Sequence, residues 1–86
     1  MSDRQIRVLL VDDHRIVREG LAAVIDRQPD MCVTAMAGDA DDALHQYCRH
    51  QPDMTIMDLQ LGRTSGVRAI ETIRAQDPAA RIVVLT

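Results

Sequence analysis

Short apolar runs along this chain alternate with longer segments in which apolar residues recur every three or four positions. The short runs are rich in branched side chains and predict β-strands at residues 6–11, 32–37, 54–57 and 82–85. The segments with helical period predict three helices, at residues 15–28, from residue 40 to shortly before Pro52, and at residues 66–76. A proline follows each predicted helix and cannot continue it.

Each predicted helix carries an apolar stripe that is expected to face a core. The stripes are Val17, Leu21, Val24 and Ile25 in the first helix, Ala40, Ala43, Leu44, Tyr47 and Cys48 in the second, and Val67, Ile70 and Ile73 in the third. Cys32 and Cys48 have neither the spacing of a C-x-x-C pair nor that of a zinc site. We therefore expect both cysteines to be buried, reduced thiols.

Alternation of strand and helix predicts an α/β fold with right-handed crossovers and a parallel sheet. Functional groups of such sheets gather at the carboxyl ends of the strands. Asp12 and Asp13 follow the first predicted strand, Asp58 follows the third, and Thr86 follows the fourth. These four polar residues are therefore expected at one edge of the sheet.

Three carboxylates at one edge would repel one another and destabilise the fold unless a cation lay among them. Hard oxygen ligands without a cluster of histidine or cysteine favour Mg²⁺ or Mn²⁺. Simpler interpretations remain open at this point. Asp12 and Asp13 could serve only to favour the start of the first helix, and Asp58 could be a turn residue.

Composition narrows the possible functions. The chain has 86 residues and a net charge of -3, and all ten of its basic residues are arginine, so neither nucleic acid nor an anionic membrane is an expected partner. No apolar run is long enough for a signal peptide or a membrane span, and a cytoplasmic protein is expected. His14, His45 and His50 are interpreted as solvated helix residues, not as metal ligands.

Two stretches, VLLVDDHRIVREGLAAVI (residues 8–25) and DMTIMDLQLGRTSGVRAIETIR (residues 53–74), resemble the receiver domain of two-component response regulators. The resemblance is to the branch with a C-terminal helix-turn-helix output domain of the LuxR/NarL type. It implies a three-layer, flavodoxin-like (CheY-like) fold whose parallel strands follow the order 2-1-3-4. The family continues past the position of Thr86 through a fifth strand and two further helices, so the chain is expected to lack them.

The same resemblance implies the roles of individual residues. Asp58 would be the phosphoacceptor, and Asp12, Asp13, Asp58 and the backbone carbonyl of Gln60 would hold Mg²⁺. Thr86 would contact the phosphoryl group. The family's phosphate-binding lysine belongs to the fifth strand and has no counterpart here, and Gly62 stands where the family usually has proline.

The resemblance implies a domain that is not itself an enzyme. It would accept a phosphoryl group from a sensor histidine kinase and control a DNA-binding output domain. An alternative is a receiver fold that no longer accepts phosphate and acts only as a protein-interaction module. A magnesium-dependent phosphatase is a weaker alternative, since that class generally has a second acid where this chain has Gln60. Because the fourth strand would form an edge of the sheet, the 86-residue chain is also expected to self-associate.

Overall fold

A computed structural model describes residues 5–61 and 64–85. In chain order, its elements are β1 (Ile6–Val11), α1 (Arg15–Asp26), β2 (Met31–Ala37), α2 (Ala40–His50), β3 (Met54–Asp58), β4 (Gln60–Leu61), β5 (Thr64–Ser65), α3 (Gly66–Gln76) and β6 (Ile82–Leu85). The four predicted strands and three predicted helices are all present. The predictions made for Gly62 and Thr86 fall outside the described residues.

Four parallel strands form one sheet in the order β2-β1-β3-β6, which confirms the order 2-1-3-4 implied by the sequence. The inner strand β1 is the most deeply buried, and its last four residues are each at most 1% exposed. Alternate side chains of a strand point to opposite faces of its sheet. Leu9 and Val11 pack with residues of α2 and α3, whereas Val8 and Leu10 pack with residues of α1. The fold therefore has three layers.

The apolar stripes of the helices are less buried than the sequence predicts. Ile25 and Ile73 are buried, as expected, but Val17, Val24 and Val67 are 45%, 56% and 51% exposed. Among the described residues, α1 is the helix that packs on its face of the sheet. A single helix buries a narrow stripe against a sheet, so the apolar residues at the sides of that stripe remain in contact with solvent.

The prediction that both cysteines are buried is wrong for Cys48, which is exposed, while Cys32 is half-buried. Helix α2 packs on the sheet through Ala40, Ala43 and Tyr47. Successive helical residues are separated by about 100° around the helix axis, so the residue after Tyr47 points away from the contact. Both thiols are free.

Tyr47 joins the ends of two helices. Its ring is buried, and its hydroxyl donates a 2.7 Å hydrogen bond to Oδ2 of Asp77, the residue after α3. Burial, together with the hydrogen bond and negative charge of Asp77, raises the pKa of Tyr47 to about 12. The phenol is therefore held in its neutral form, and the carboxylate fixes the packing of α2 against α3.

Arg7 holds the end of α2 against the sheet. Its guanidinium donates hydrogen bonds of 2.7 Å and 2.9 Å to the backbone carbonyls of His50 and Gln51. Because Arg7 lies near the start of β1, the carboxyl end of α2 lies at the amino end of that strand. The carboxyl ends of the strands, with Asp12, Asp13 and Asp58, are at the opposite end of the sheet.

Candidate metal centre

The carboxylates of Asp12, Asp13 and Asp58 converge at the carboxyl ends of two neighbouring strands. Asp12 and Asp13 directly follow β1, and Asp58 is the last residue of β3. The preceding residues Val11 and Met57 are paired across the parallel ladder. One ligand atom from each of the three aspartates, together with one from His14, lies within 4.8 Å of the others. The predicted convergence of the carboxylates is therefore observed.

Asp12 also shapes the turn from β1 into α1. Its side chain is 9% exposed, and Oδ1 accepts a 2.7 Å hydrogen bond from the backbone N–H of His14. The guanidinium of Arg18 donates to the Asp12 carbonyl at 2.5 Å. Asp12 therefore shapes the turn that leads to α1, but it makes no capping bond to the helix, whose first turn contains no acidic residue.

Asp13 contributes an unsatisfied oxygen. Its Oδ1 is buried and has no hydrogen-bond donor among the described residues. Although Nδ1 of His14 lies 2.9 Å away, the contact lacks the geometry of a hydrogen bond. A buried carboxylate oxygen without a donor is costly, and a divalent cation would satisfy it. The donor set, made largely of carboxylate oxygens, fits Mg²⁺ or Mn²⁺.

His14 belongs to the cluster, although the sequence indicated a solvated residue that is not a metal ligand. Its side chain is 67% exposed, as expected of a solvated histidine, but Nδ1 lies 3.2 Å from Asp12 Oδ1 and 2.9 Å from Asp13 Oδ1. As the N-cap residue of α1, it makes no side-chain capping bond. Its position directly after Asp13 was the signal available in the sequence.

Asp58 is held by the segment that follows it. Its Oδ1 accepts a 3.0 Å hydrogen bond from the backbone N–H of Gln60, and its side chain is partly exposed. Gln60 pairs with Ser65 across the antiparallel β4–β5 ladder, which the sequence analysis did not predict because strands of two residues show no alternation. The described contacts involve the Gln60 amide, so the role of its carbonyl as a metal ligand stays a prediction.

Gly66 closes the loop beneath Asp58. Its backbone N–H donates a 2.8 Å hydrogen bond to the carbonyl of Leu59. A Cβ at residue 66 would meet the Asp58 carbonyl oxygen and would lie 2.6 Å from Leu59 Cα. Such a contact is far inside van der Waals distance with backbone that cannot rotate away, so glycine is required for this approach.

The arrangement suits a reaction at Asp58. One oxygen of this carboxylate is oriented by the Gln60 amide, while Oδ2 has no hydrogen-bond donor among the described residues. A partly exposed carboxylate beside a cation site can act as a nucleophile toward an electrophile that arrives from solvent.

No helix in the described part of the chain is long and apolar enough to cross a membrane.

The sequence matches a known protein family and several known proteins. The family model of the response regulator receiver domain matches residues 8–86. The chain is 42% identical over 86 residues to the uncharacterized transcriptional regulatory protein YxjL of Bacillus subtilis, covering all of this chain and 39% of YxjL. It is also 38% identical over 84 residues to a protein-glutamate methylesterase/protein-glutamine glutaminase of Thermotoga maritima, covering 98% of this chain and 24% of the relative.

Among solved structures, a two-component response regulator of the LuxR family from Aurantimonas sp. SI85-9A1 is similar to this chain, with a TM-score of 0.89 and 45% sequence identity. The similarity covers 93% of this chain and 57% of that structure. The chain thus spans less than half the length of the two curated relatives.

Proposed function

This chain belongs to the response regulator receiver family, and from that premise we propose that Asp58 accepts a phosphoryl group from the phosphohistidine of a sensor histidine kinase. The observation that supports this proposal most directly is the convergence of Asp58 with Asp12 and Asp13 around a buried, unsatisfied oxygen. An oxygen of Asp58 attacks phosphorus, the phosphorus–nitrogen bond breaks, and the imidazole leaves with a proton from solvent. The product is an acyl phosphate on Asp58.

Asp12, Asp13, Asp58 and the Gln60 carbonyl are proposed to hold Mg²⁺, which Mn²⁺ can replace. When bound, the cation supplies positive charge that offsets the repulsion between the Asp58 carboxylate and the incoming phosphoryl group. The buried turn at Asp12 and the Gln60 amide orient the carboxylates. A contact between Thr86 and the phosphoryl group is part of the same proposal.

The parent protein is proposed to be a cytoplasmic regulator in which this domain controls a DNA-binding output domain. YxjL is named a transcriptional regulatory protein, and the similar solved structure belongs to the LuxR family. The methylesterase relative carries a matching segment in a different kind of protein, so the output is a property of the parent chain. In this proposal, the 86 residues act as a phosphoacceptor and are not an enzyme.

Intact-mass spectrometry after incubation with acetyl phosphate and Mg²⁺ tests the assignment of Asp58. We expect the wild-type chain to gain the mass of one phosphoryl group and Asp58→Asn to gain none, because the amide is a poor nucleophile. Asp30→Asn, which replaces an exposed aspartate in the loop before β2, is the matched control and should be labelled like the wild type.

A phosphoryl adduct that persists in Asp58→Asn would show that another residue is the acceptor. If the wild type forms no adduct although it binds Mg²⁺, the alternative of a receiver fold that acts only as a protein-interaction module replaces the proposal.

A further inference from the structure

We propose that His14 is a nitrogen ligand of the divalent cation and determines which cations the site prefers. This inference rests on the proposed metal site and assigns it a ligand beyond the three aspartates and Gln60. One ring nitrogen of His14 belongs to the set of four ligand atoms that lie within 4.8 Å of one another.

The distances fit shared coordination. With metal–ligand bonds of about 2.0–2.1 Å, neighbouring ligand atoms of an octahedral site lie about 3 Å apart. His14 Nδ1 is 2.9 Å from Asp13 Oδ1 and 3.2 Å from Asp12 Oδ1. Both separations are close to the edge of such an octahedron.

The two carboxylates set the position of the ring, because its Nδ1 lies within hydrogen-bond distance of Asp12 Oδ1, at 3.2 Å. The side chain makes no capping bond to α1, and at 67% exposure it is not held by packing. The backbone N–H of His14 donates a 2.7 Å hydrogen bond to the same oxygen and so shapes the turn with Asp12. The ring nitrogen faces Asp13 Oδ1, the buried oxygen that has no hydrogen-bond donor among the described residues. A cation bound among these atoms would replace the hydrogen bond between Nδ1 and Asp12 Oδ1 with a bond from the ring nitrogen to the metal.

A nitrogen ligand changes cation preference. Carboxylate and carbonyl oxygens suit Mg²⁺, Ca²⁺ and Mn²⁺, whereas imidazole favours later first-row metals, whose affinities rise from Mn²⁺ through Co²⁺ to Cu²⁺. The site therefore combines oxygen ligands with one nitrogen ligand. The nitrogen raises the ratio of Co²⁺ affinity to Mg²⁺ affinity above the value that oxygen ligands alone would give.

Calorimetric titration of Mg²⁺ and of Co²⁺ into the 86-residue chain tests the role of His14. The variant is His14→Ser, because serine is favoured at an N-cap and is too short to take the place of the ring. The matched control is His45→Ser, which removes an exposed imidazole on α2 away from the cluster. All titrations use one pH of about 8, where free imidazole is neutral.

We expect His14→Ser to lose about tenfold in Co²⁺ affinity with little change in Mg²⁺ affinity, so that the preference for Co²⁺ falls. The control should keep the wild-type preference. Co²⁺ should also broaden the ring signals of His14 in NMR spectra of the wild type, and excess Mg²⁺ should restore them.

An unchanged ratio of Co²⁺ to Mg²⁺ affinity in His14→Ser would overturn the role of His14 while leaving the carboxylate site intact. A wild-type chain that binds neither cation would overturn the proposed metal site itself, so the two failures are distinguishable. If His14→Ser does not fold, His14→Asn decides the same question, because asparagine is also a favoured N-cap and its amide supplies no imidazole nitrogen.

Discussion

At the scale of single residues, the cluster of three carboxylates lowers the stability of the folded chain. Asp12, Asp13 and Asp58 repel one another, and Asp13 Oδ1 is buried without a donor. The sequence was sufficient to predict that these residues meet, because strand ends of a parallel sheet lie at one edge. It was insufficient for His14, because adjacency in sequence does not determine the direction in which a ring points.

Substitution of one carboxylate should have opposite effects with and without the cation. Without metal, Asp13→Asn should raise the thermal midpoint slightly, because it removes one of three repelling charges. With Mg²⁺ at about one hundred times its dissociation constant, the wild type should gain about 2.7 kcal/mol and the variant much less, because binding to the native state alone stabilises it. Differential scanning fluorimetry over a Mg²⁺ series measures both effects.

Asp30→Asn is the matched control and should respond to Mg²⁺ as the wild type does, since Asp30 is exposed in the loop before β2. Equal Mg²⁺ responses of wild type and Asp13→Asn would rule out Asp13 as a ligand.

At the scale of elements, the segment after β3 brings the backbone of Gly66 into close contact with the backbone of Asp58 and Leu59. The β4–β5 ladder returns the chain so that Gly66 begins α3 directly against Leu59. Hydrophobic pattern predicted β3 and α3 because each is long enough to show its period, whereas β4 and β5 are too short to do so. The same pattern overestimated burial at Val67, since periodicity identifies an apolar stripe but not what covers its sides.

Replacement of Gly66 by alanine should distort this loop. The added Cβ would clash with backbone atoms of Asp58 and Leu59, so we expect a loss of stability of about 1–3 kcal/mol and a weaker response of the thermal midpoint to Mg²⁺. Gly20→Ala is the matched control. Gly20 lies within α1 with open space around it, so alanine there should stabilise by about 0.5–1 kcal/mol.

Urea unfolding of both variants, with and without Mg²⁺, gives these values. A Gly66→Ala chain as stable as the wild type, with an unchanged Mg²⁺ response, would mean that the loop can move aside.

At the scale of the whole molecule, β6 forms one edge of the sheet among the described residues. Its residues Val83, Val84 and Leu85 are 46%, 41% and 38% exposed, and an edge strand presents unpaired backbone groups. Alternation of strands and helices predicted the parallel sheet, but the family resemblance was needed for the strand order. Local periodicity contains no information on which strands become neighbours.

We expect the 86-residue chain to self-associate through β6, because each branched side chain buried there would contribute about 1.5–3 kcal/mol. Light scattering coupled to size exclusion, over a wide range of concentration, measures the mass. Val83→Lys should shift the chain toward the monomer, since a charge on an edge strand opposes pairing. Val67→Lys changes a similarly exposed valine on α3 and should leave association unchanged. A wild-type monomer at every concentration would contradict the prediction.

The hydrogen bond between Tyr47 and Asp77 gives the chain a single optical reporter. The sequence has one tyrosine and neither tryptophan nor phenylalanine, so its aromatic absorption and intrinsic emission arise from Tyr47 alone. That ring lies where α2 meets the end of α3, at the opposite end of the sheet from the carboxylate cluster. The tyrosine absorption and emission of this protein therefore describe the state of that helix junction, and Mg²⁺ bound at the far end changes them only if its binding moves the two helices.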